Sequence, residues 1–247
     1  MQINLPDGVS ASVVERASST MDLARSYDGS NGFPHWILAR VQNQGRGRRG
    51  RSWVTGPGSF AATLILEPKC SPLFASYYSF VMACALYRSL EKYVDSNLLS
   101  HKWPNDVLLR GGKVAGILIE TTSFEQFVDR LYIGIGVNLG TTPKKINDTS
   151  FVPIGLCDVI GKTIAPNFFL ENIAYNFCMY EQVLIKYGFA KIRDEWLASA
   201  SHLGEIITAD IGREQYKGYF ESIDENGNLV LLTTGGKRVI PAADIYF

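Results

Sequence analysis

Between Gly45 and Arg51 the chain places four arginines, interleaved with three glycines, and Ser52-Trp53 follow at once. Glycine lets a backbone approach a ligand closely. Arginine offers forked donors that match phosphate and carboxylate oxygens. Trp53 adds a ring that can stack on a base. This composition fits an anion site. It fits equally a flexible basic loop that touches RNA, or a solvated surface.

Three further segments carry chemistry. In His101-Lys102-Trp103-Pro104-Asn105-Asp106-Val107, Pro104 forces Trp103 into an extended conformation and cannot donate to a central ladder. Lys102, Asn105 and Asp106 therefore sit at an irregular junction, where a cation, an amide and a carboxylate could grip a nucleotide. Asn-Asp is also ordinary turn chemistry. Gly111-Gly112 predicts a hairpin turn, and Lys113 then opens the apolar run Val114 to Ile119 before Glu120. A lysine at the lip of a buried strand can meet a reacting carboxylate or phosphate, although a solvated turn lysine is commoner. Gly134-Ile135-Gly136-Val137-Asn138 ends another buried strand, where the glycines leave room for a ligand and Asn138 can bond it.

Several familiar sites are excluded. Gly134 and Gly136 have Leu139 where a dinucleotide turn needs its third glycine. Gly155 to Thr163 resembles a phosphate-binding loop, but its spacing is one residue too long and its interior too apolar. His35, His101 and His202 are scattered, with no zinc-binding spacing. No G-x-S-x-G elbow is present.

The elements that must position these residues follow from the patterning. Ser18-Ser19-Thr20 offers N-cap hydroxyls to a short helix over about 20–27. Strands are predicted at 36–41, 61–66, 99–103, 106–109, 113–120 and 129–138. Residues 42–59 between the first two read as a loop, expected to be unfixed without ligand because glycines and like charges disfavour one conformation. Ser71-Pro72 opens a long helix expected to reach Val94. Apolar residues recurring from Ile173 to Tyr187 predict a helix over 167–187, and a shorter one over 191–199 holds Trp196. From Gly204 onward the texture changes to short alternating strands at 205–211, 216–223, 228–233 and 237–246, which predicts a small barrel. A barrel of that size is marginal alone and is expected to lean on the first domain.

The chain has 247 residues, with 24 basic and 24 acidic side chains, so 24 − 24 gives no net charge. Neutrality argues against a general nucleic-acid coat. Hydrophobic content of 46% and charged content of 19% fit a globular protein with a large core. The N-terminal residues lack the pattern of a secretory signal, and the most apolar long segment, 73–94, is broken by Arg88 and Glu91. Cys70, Cys84, Cys157 and Cys178 form no CxxC pair and read as buried, reduced thiols of a cytoplasmic protein. The Asn147-Asp148-Thr149 sequon then carries no meaning.

Taken in order, Ser19-Thr20, Gly45 to Trp53, Lys102 to Asp106, Lys113 to Glu120 and Gly134 to Asn138 resemble the signatures of the biotin protein ligases. The resemblance runs from about residue 10 to the C-terminus and is closest to the short, monofunctional members without an N-terminal DNA-binding domain. It implies an α+β fold: a mixed sheet packed with helices over 1–199, and a C-terminal SH3-like barrel over 200–247. It implies that biotin and ATP, with Mg²⁺, give biotinyl-AMP, and that biotin then passes to a lysine of a biotin carboxyl carrier domain. No DNA or membrane partner is implied, and a homodimer stays open. Lys113, Arg48 and Asp106 are the implied catalytic groups, with Asp106 orienting either Lys113 or the incoming lysine. Biotin is assigned to Ser19, Thr20, Gln42, Gly45, Arg46, Gly47, Arg48, Lys113 and Gly116. The nucleotide is assigned to Arg46, Arg48, Trp53, Lys102, Asn105 and Asn138, and no side chain is assigned to metal. All of these residues lie at or before Asn138, so the small barrel is expected to serve as support or as a carrier-docking surface. Met21 departs from the family, which usually has Asn there, and loses that residue's hydrogen bond. The alternatives are a lipoate ligase, whose Arg-Arg…Gly-Gly-Gly signature is absent, and a non-catalytic RNA-binding module.

Overall fold

The computed structural model describes residues 3–142 and 152–247; the Asn147–Thr149 segment lies outside them. Strand β1 (Ser10–Ala17) leads into helix α1 (Thr20–Arg25) and strand β2 (His35–Gln42). A small ribbon, β3 (Gly45–Arg46) and β4 (Ser52–Trp53), precedes β5 (Phe60–Leu66). Helices α2 (Pro72–Ser76) and α3 (Tyr78–Leu90) follow, then β6 (Leu99–Lys102), β7 (Asp106–Leu109), β8 (Gly112–Phe124) and β9 (Phe127–Val137). Helices α4 (Leu156–Ile160), α5 (Pro166–Tyr187) and α6 (Phe189–Ala198) complete this part. The last strands are β10 (Ile206–Asp210), β11 (Gln215–Ile223), β12 (Leu229–Thr233), β13 (Gly236–Ile240) and β14 (Asp244–Tyr246).

Seven strands form one mixed sheet in the order β1-β2-β5-β9-β8-β7-β6, with β1 parallel to β2 and the other neighbours antiparallel. Successive side chains of a strand face opposite ways. In β2, Trp36 and Leu38 join the large core, which also takes in residues of α3, α5 and α6. Ile37 between them packs with Met21, Ala24, Ile65 and Tyr132 under α1. Both faces of the central strands are thus covered, and every residue of β5 is buried.

Two expected elements are divided. The helix expected to run from Ser71 to Val94 tightens at Tyr77, whose N–H returns to the Phe74 carbonyl and whose own carbonyl accepts from Phe80 N–H. The Tyr77 ring stacks on Phe189, and its hydroxyl donates to the Glu225 carbonyl. The helix then ends at Leu90, short of Val94. The strand expected over 237–246 breaks at Pro241, which cannot donate to a ladder. Its two pieces lie on opposite edges of a five-stranded sheet, order β13-β12-β11-β10-β14. Flat, those edges would lie about 19 Å apart, at ~4.8 Å per strand. The link from Ile240 to Asp244 reaches at most about 14 Å, so this sheet must curl.

The two sheets share one continuous core, which includes Phe80, Phe189, Phe220, Leu229 and Ile245. Specific bonds join them as well. Trp103 Nε1 donates to the Gly227 carbonyl at 3.0 Å, and Lys102 Nζ to the Ile245 carbonyl at 2.6 Å. Of the cysteines, Cys84 is buried and the other three are only half-buried; all four are free. Among the described residues, no helix is long and apolar enough to cross a membrane.

Candidate active site

A cavity opens on the sheet face under the ribbon, and its two ends differ in chemistry. One end is a polar chain set into an apolar sheet. Gln42 Oε1 accepts from Thr20 N–H at 2.9 Å and from Thr20 Oγ1 at 3.2 Å. Thr63 Oγ1 in turn donates to Thr20 Oγ1 at 2.9 Å. Thr63 is the one polar residue of the run Phe60-Ala61-Ala62-Thr63-Leu64-Ile65-Leu66. Ser19 holds the N-cap position of α1, but its hydroxyl makes no capping bond. It is buried and faces the cavity instead, which corrects the expected cap. Met21 is buried in the cluster under α1 and lies over Gly134, where a Cβ would stand 2.8 Å from its Cε.

The other end holds the charges. Lys113 Nζ lies 2.7 Å from Asp106 Oδ1 and 5.5 Å from the centre of the Trp53 ring. Their strands explain the meeting: β7 pairs with β8, and Asp106 stands opposite Gly116. A Cβ on Gly116 would come to 3.1 Å from both Lys113 Cε and the Trp53 ring, so one of them would have to give by a few tenths of an ångström. Gly136 is tighter still, since its Cβ would stand 2.2 Å from Trp53 Cε2. The glycines of Gly134-Ile135-Gly136 therefore admit Met21 and the indole, rather than leaving open space for a ligand. Apart from Asp106 Oδ1, which is paired with Lys113, Trp53 Nε1 and Asn138 Oδ1 are buried here without a hydrogen-bond partner. Each can bond a group that enters the cavity.

Lys102 is buried, with Nζ on the Ile245 carbonyl and 4.7 Å from the Phe247 ring centre. Burial pushes its pKa down to about 7, and the nearby Asp106 opposes that fall. Asn105 is tied to β8 in both directions, its amide nitrogen donating to the Ile117 carbonyl at 2.6 Å and its carbonyl accepting from Ile117 N–H at 2.9 Å. Asn105 Oδ1 then accepts from Arg48 Nη1 at 3.2 Å. Burial holds the Arg48 pKa below the ordinary guanidinium value, with Asp244 and Asp106 acting the other way.

The basic segment is a folded hairpin in the structure rather than an irregular loop. Gly45 pairs with Trp53 and Arg46 with Ser52. A Cβ on Gly45 would stand 2.6 Å from Gln42 Nε2 and 2.7 Å from the Trp53 carbonyl, so only glycine lets the ribbon lie this close. Arg46 grips Asp22 with two bonds of 3.0 and 2.6 Å, and this bonding raises its pKa.

The structure thus brings Lys113, Asp106, Lys102, Asn105, Arg48, Trp53, Gly116 and Asn138 to one end of the cavity. Ser19, Thr20 and Gln42 line the other, while Gly45, Arg46 and Gly47 form the near arm of the ribbon. Two contributions were not legible as site residues. Thr63 reads in sequence as one more β-former. Ala243, Asp244 and Ile245 also line the cavity, so the wall extends into the C-terminal sheet and past Asn138. Among the described residues, no three His, Cys, Asp or Glu side chains are grouped to hold a metal.

Comparison with known proteins places these features in context. Residues 13–138 match the Biotin/lipoate A/B protein ligase family, and residues 202–247 match the Biotin protein ligase C terminal domain. The chain is 45% identical over 215 residues to the biotin--[acetyl-CoA-carboxylase] ligase of Paracoccus denitrificans, covering 86% of this chain and 90% of that one. It is 29% identical to the bifunctional ligase/repressor BirA of Bacillus subtilis, over 85% of this chain and 65% of that one. The solved biotin protein ligase from Aquifex aeolicus, in complex with biotin and ATP, superposes with a TM-score of 0.80 at 22% identity, over 96% and 97% of the two chains.

Proposed function

The chain belongs to the Biotin/lipoate A/B protein ligase family, and from that premise we propose that it activates biotin with ATP and transfers it to a carrier lysine. The observation that carries this reading is the pairing of Lys113 with Asp106 at 2.7 Å, at the charged end of a cavity whose far end is a hydrogen-bonded polar chain. Biotin needs both ends. Its ureido ring carries a carbonyl acceptor and two N–H donors, which Ser19, Thr20 and Gln42 would meet. Its carboxylate would lie toward Lys113. A dithiolane offers that polar chain no matching hydrogen bonds, which favours biotin over lipoate.

In the first step a carboxylate oxygen of biotin attacks the α-phosphorus of ATP. The bond to the bridging oxygen breaks, and pyrophosphate leaves with the electron pair. Two anions must approach, so fixed cations are required to offset their repulsion. We assign that task to Lys113, oriented by Asp106, with Lys102 on the phosphates; Arg46 lies at the biotin arm, and Arg48 bonds the adenylate once formed and covers it. Trp53, Asn105 and Asn138 would hold the nucleoside, and the orphaned Trp53 Nε1 and Asn138 Oδ1 offer it a donor and an acceptor. In the second step the amine of a carrier lysine attacks the acyl carbon, the C–O bond to phosphate breaks, and AMP leaves as the amine loses its proton. The carrier would be a biotin carboxyl carrier domain. We propose that Mg²⁺ arrives with ATP as its counter-ion.

We place the boundary between catalytic domain and C-terminal barrel at residues 199 and 200, and the protein in the cytoplasm, where four free cysteines are at home. Isotope exchange between pyrophosphate and ATP tests the function. Exchange that depends on biotin and not on lipoate is expected. Exchange supported by lipoate, or by neither acid, overturns the reading.

A further inference from the structure

The carboxylate of Asp244 joins the C-terminal sheet to the arginine hairpin. Its Oδ2 lies 2.7 Å from Arg49 Nη1 and its Oδ1 lies 2.5 Å from Arg51 Nη2. These residues are almost two hundred positions apart in sequence, and the Asp244 side chain is only 17% exposed. A further feature marks Asp244 as placed for this contact. On β10 its direct cross-strand partner is Asp210. Like charges opposite one another destabilise a sheet pair. Two guanidinium groups on Asp244 offset that cost.

The hairpin geometry shows what the grip does. Gly47 N–H donates to the Arg51 carbonyl at 2.7 Å, and Arg51 N–H to the Arg48 carbonyl at 3.2 Å. Between them Arg49 takes φ 55° and Gly50 φ 72°. Only one of these two left-handed positions is glycine, so Arg49 is held in a conformation that L-residues rarely adopt. In this turn Arg49 and Arg51 reach the C-terminal strand, while Arg48, just before them, reaches Asn105 at the cavity. The next residue after Asp244 supplies the carbonyl on Lys102 Nζ. One three-residue strand thus fixes both the arginine hairpin and a buried lysine of the charged end.

We propose that Asp244 is a positioning residue: by gripping Arg49 and Arg51 it locks the hairpin in the turn that presents Arg48 to the cavity, and so keeps the acyl-adenylate enclosed. This inference rests on the ligase reading above. It gives the C-terminal domain a defined part in the first half-reaction, beyond support or carrier docking.

The test uses the purified full chain with biotin and ATP, and measures free biotinyl-AMP released per pyrophosphate formed. Asp244→Asn keeps the shape and removes the charge, and about a tenfold rise in this ratio is expected from losing two charge-assisted contacts. Asp244→Glu should restore most of the retention. Arg49→Gln, at an exposed side chain, should raise the ratio about threefold alone and add nothing in the Asp244→Asn background. That coupling distinguishes a grip on the hairpin from a general loss of structure. An unchanged ratio in Asp244→Asn, or an Arg49→Gln effect that simply multiplies with it, overturns the inference. If the wild-type chain shows normal biotin-dependent exchange, such a result removes this inference alone. A wild-type chain without that exchange overturns the ligase reading and this inference together.

Discussion

Lys113 and Asp106 stand on adjacent strands of a seven-stranded sheet, whereas the arginines from Arg46 to Arg51 hang on a ribbon of two residue pairs. The first pair is carried by β7 and β8, whose residues continue into the main core. The second group is held from outside itself, by Asp22 on α1 and by Asp244 on the C-terminal sheet. Groups on paired strands are fixed before ligand arrives and suit electrostatic stabilisation of a reacting centre. Groups on a ribbon tied by partly exposed ion pairs can let go at small cost, because such pairs contribute about 0–1 kcal/mol each. That suits a cover that must admit substrates and then retain a reactive anhydride. From this difference we propose that the sheet carries the chemistry and the ribbon the retention.

Removing the sheet-borne cation is expected to have the largest effect. Lys113→Ala leaves the core untouched but removes charge-assisted bonds worth roughly 1.5–3 kcal/mol each to two anions. Biotin-dependent pyrophosphate exchange should fall by about 100- to 10,000-fold. A folded variant with near-normal exchange would take Lys113 out of the chemistry and dissolve the comparison.

The sheet-borne part was legible because its residues are close in sequence and chemically conspicuous. Lys102 to Asp106 and Lys113 to Gly116 sit around one hairpin, so their meeting follows from the Gly111-Gly112 turn. The Gly45 to Trp53 segment was equally visible as a composition. What was not visible was the partner of its arginines, since no local pattern connects Arg49 to Asp244. Thr63 was hidden for a different reason. A threonine in a strand is ordinary, and only its contact with Thr20 ties it to the polar chain of the cavity. The division at Pro241 had a signal, a proline inside a supposed ladder strand, and that signal is what sends Asp244 to the far edge. The tightening at Tyr77 had none, because its tertiary contacts with Phe189 and Glu225 are long-range.

Smaller effects sharpen the same contrast. Gly136→Ala should push the Trp53 indole off the sheet. Overpacking costs about 1–3 kcal/mol, and the half-buried ring can yield, so we expect about 1 kcal/mol in a denaturant titration. Adenylation should drop about tenfold, which corresponds to ~1.4 kcal/mol in the barrier. Unchanged adenylation would show that the indole's seat is not needed.

The buried Lys102 makes the sheet side sensitive to pH. Its pKa in the free protein is pushed down to about 7, so the ammonium is charged below that value and neutral above it. Between pH 6 and 8 the charged share falls from about nine-tenths to about one-tenth. The kcat/KM for ATP should therefore fall several-fold over that range, and Lys102→Met should flatten the profile at the lower level. A profile in Lys102→Met that keeps the wild-type slope would assign the pH dependence elsewhere.

At the far end, Thr63→Val removes one donor from the polar chain while keeping the shape. The loss of about 0.5–1.5 kcal/mol should weaken biotin binding by up to about tenfold in calorimetry. ATP affinity should stay the same, and a change there instead would contradict the division of the cavity into two ends.

The division of labour is tested most directly by Arg48→Gly, with pyrophosphate, free biotinyl-AMP and biotin on a bystander protein such as albumin measured in one reaction. The ribbon's task being retention, pyrophosphate formation should persist, and escaped adenylate should rise about tenfold to a hundredfold, as expected for one charge-assisted bond of roughly 1.5–3 kcal/mol. Bystander labelling should rise with it. Loss of pyrophosphate formation itself would move Arg48 from the cover to the reacting centre, and equal leakage from variant and wild type would remove the ribbon's role in retention.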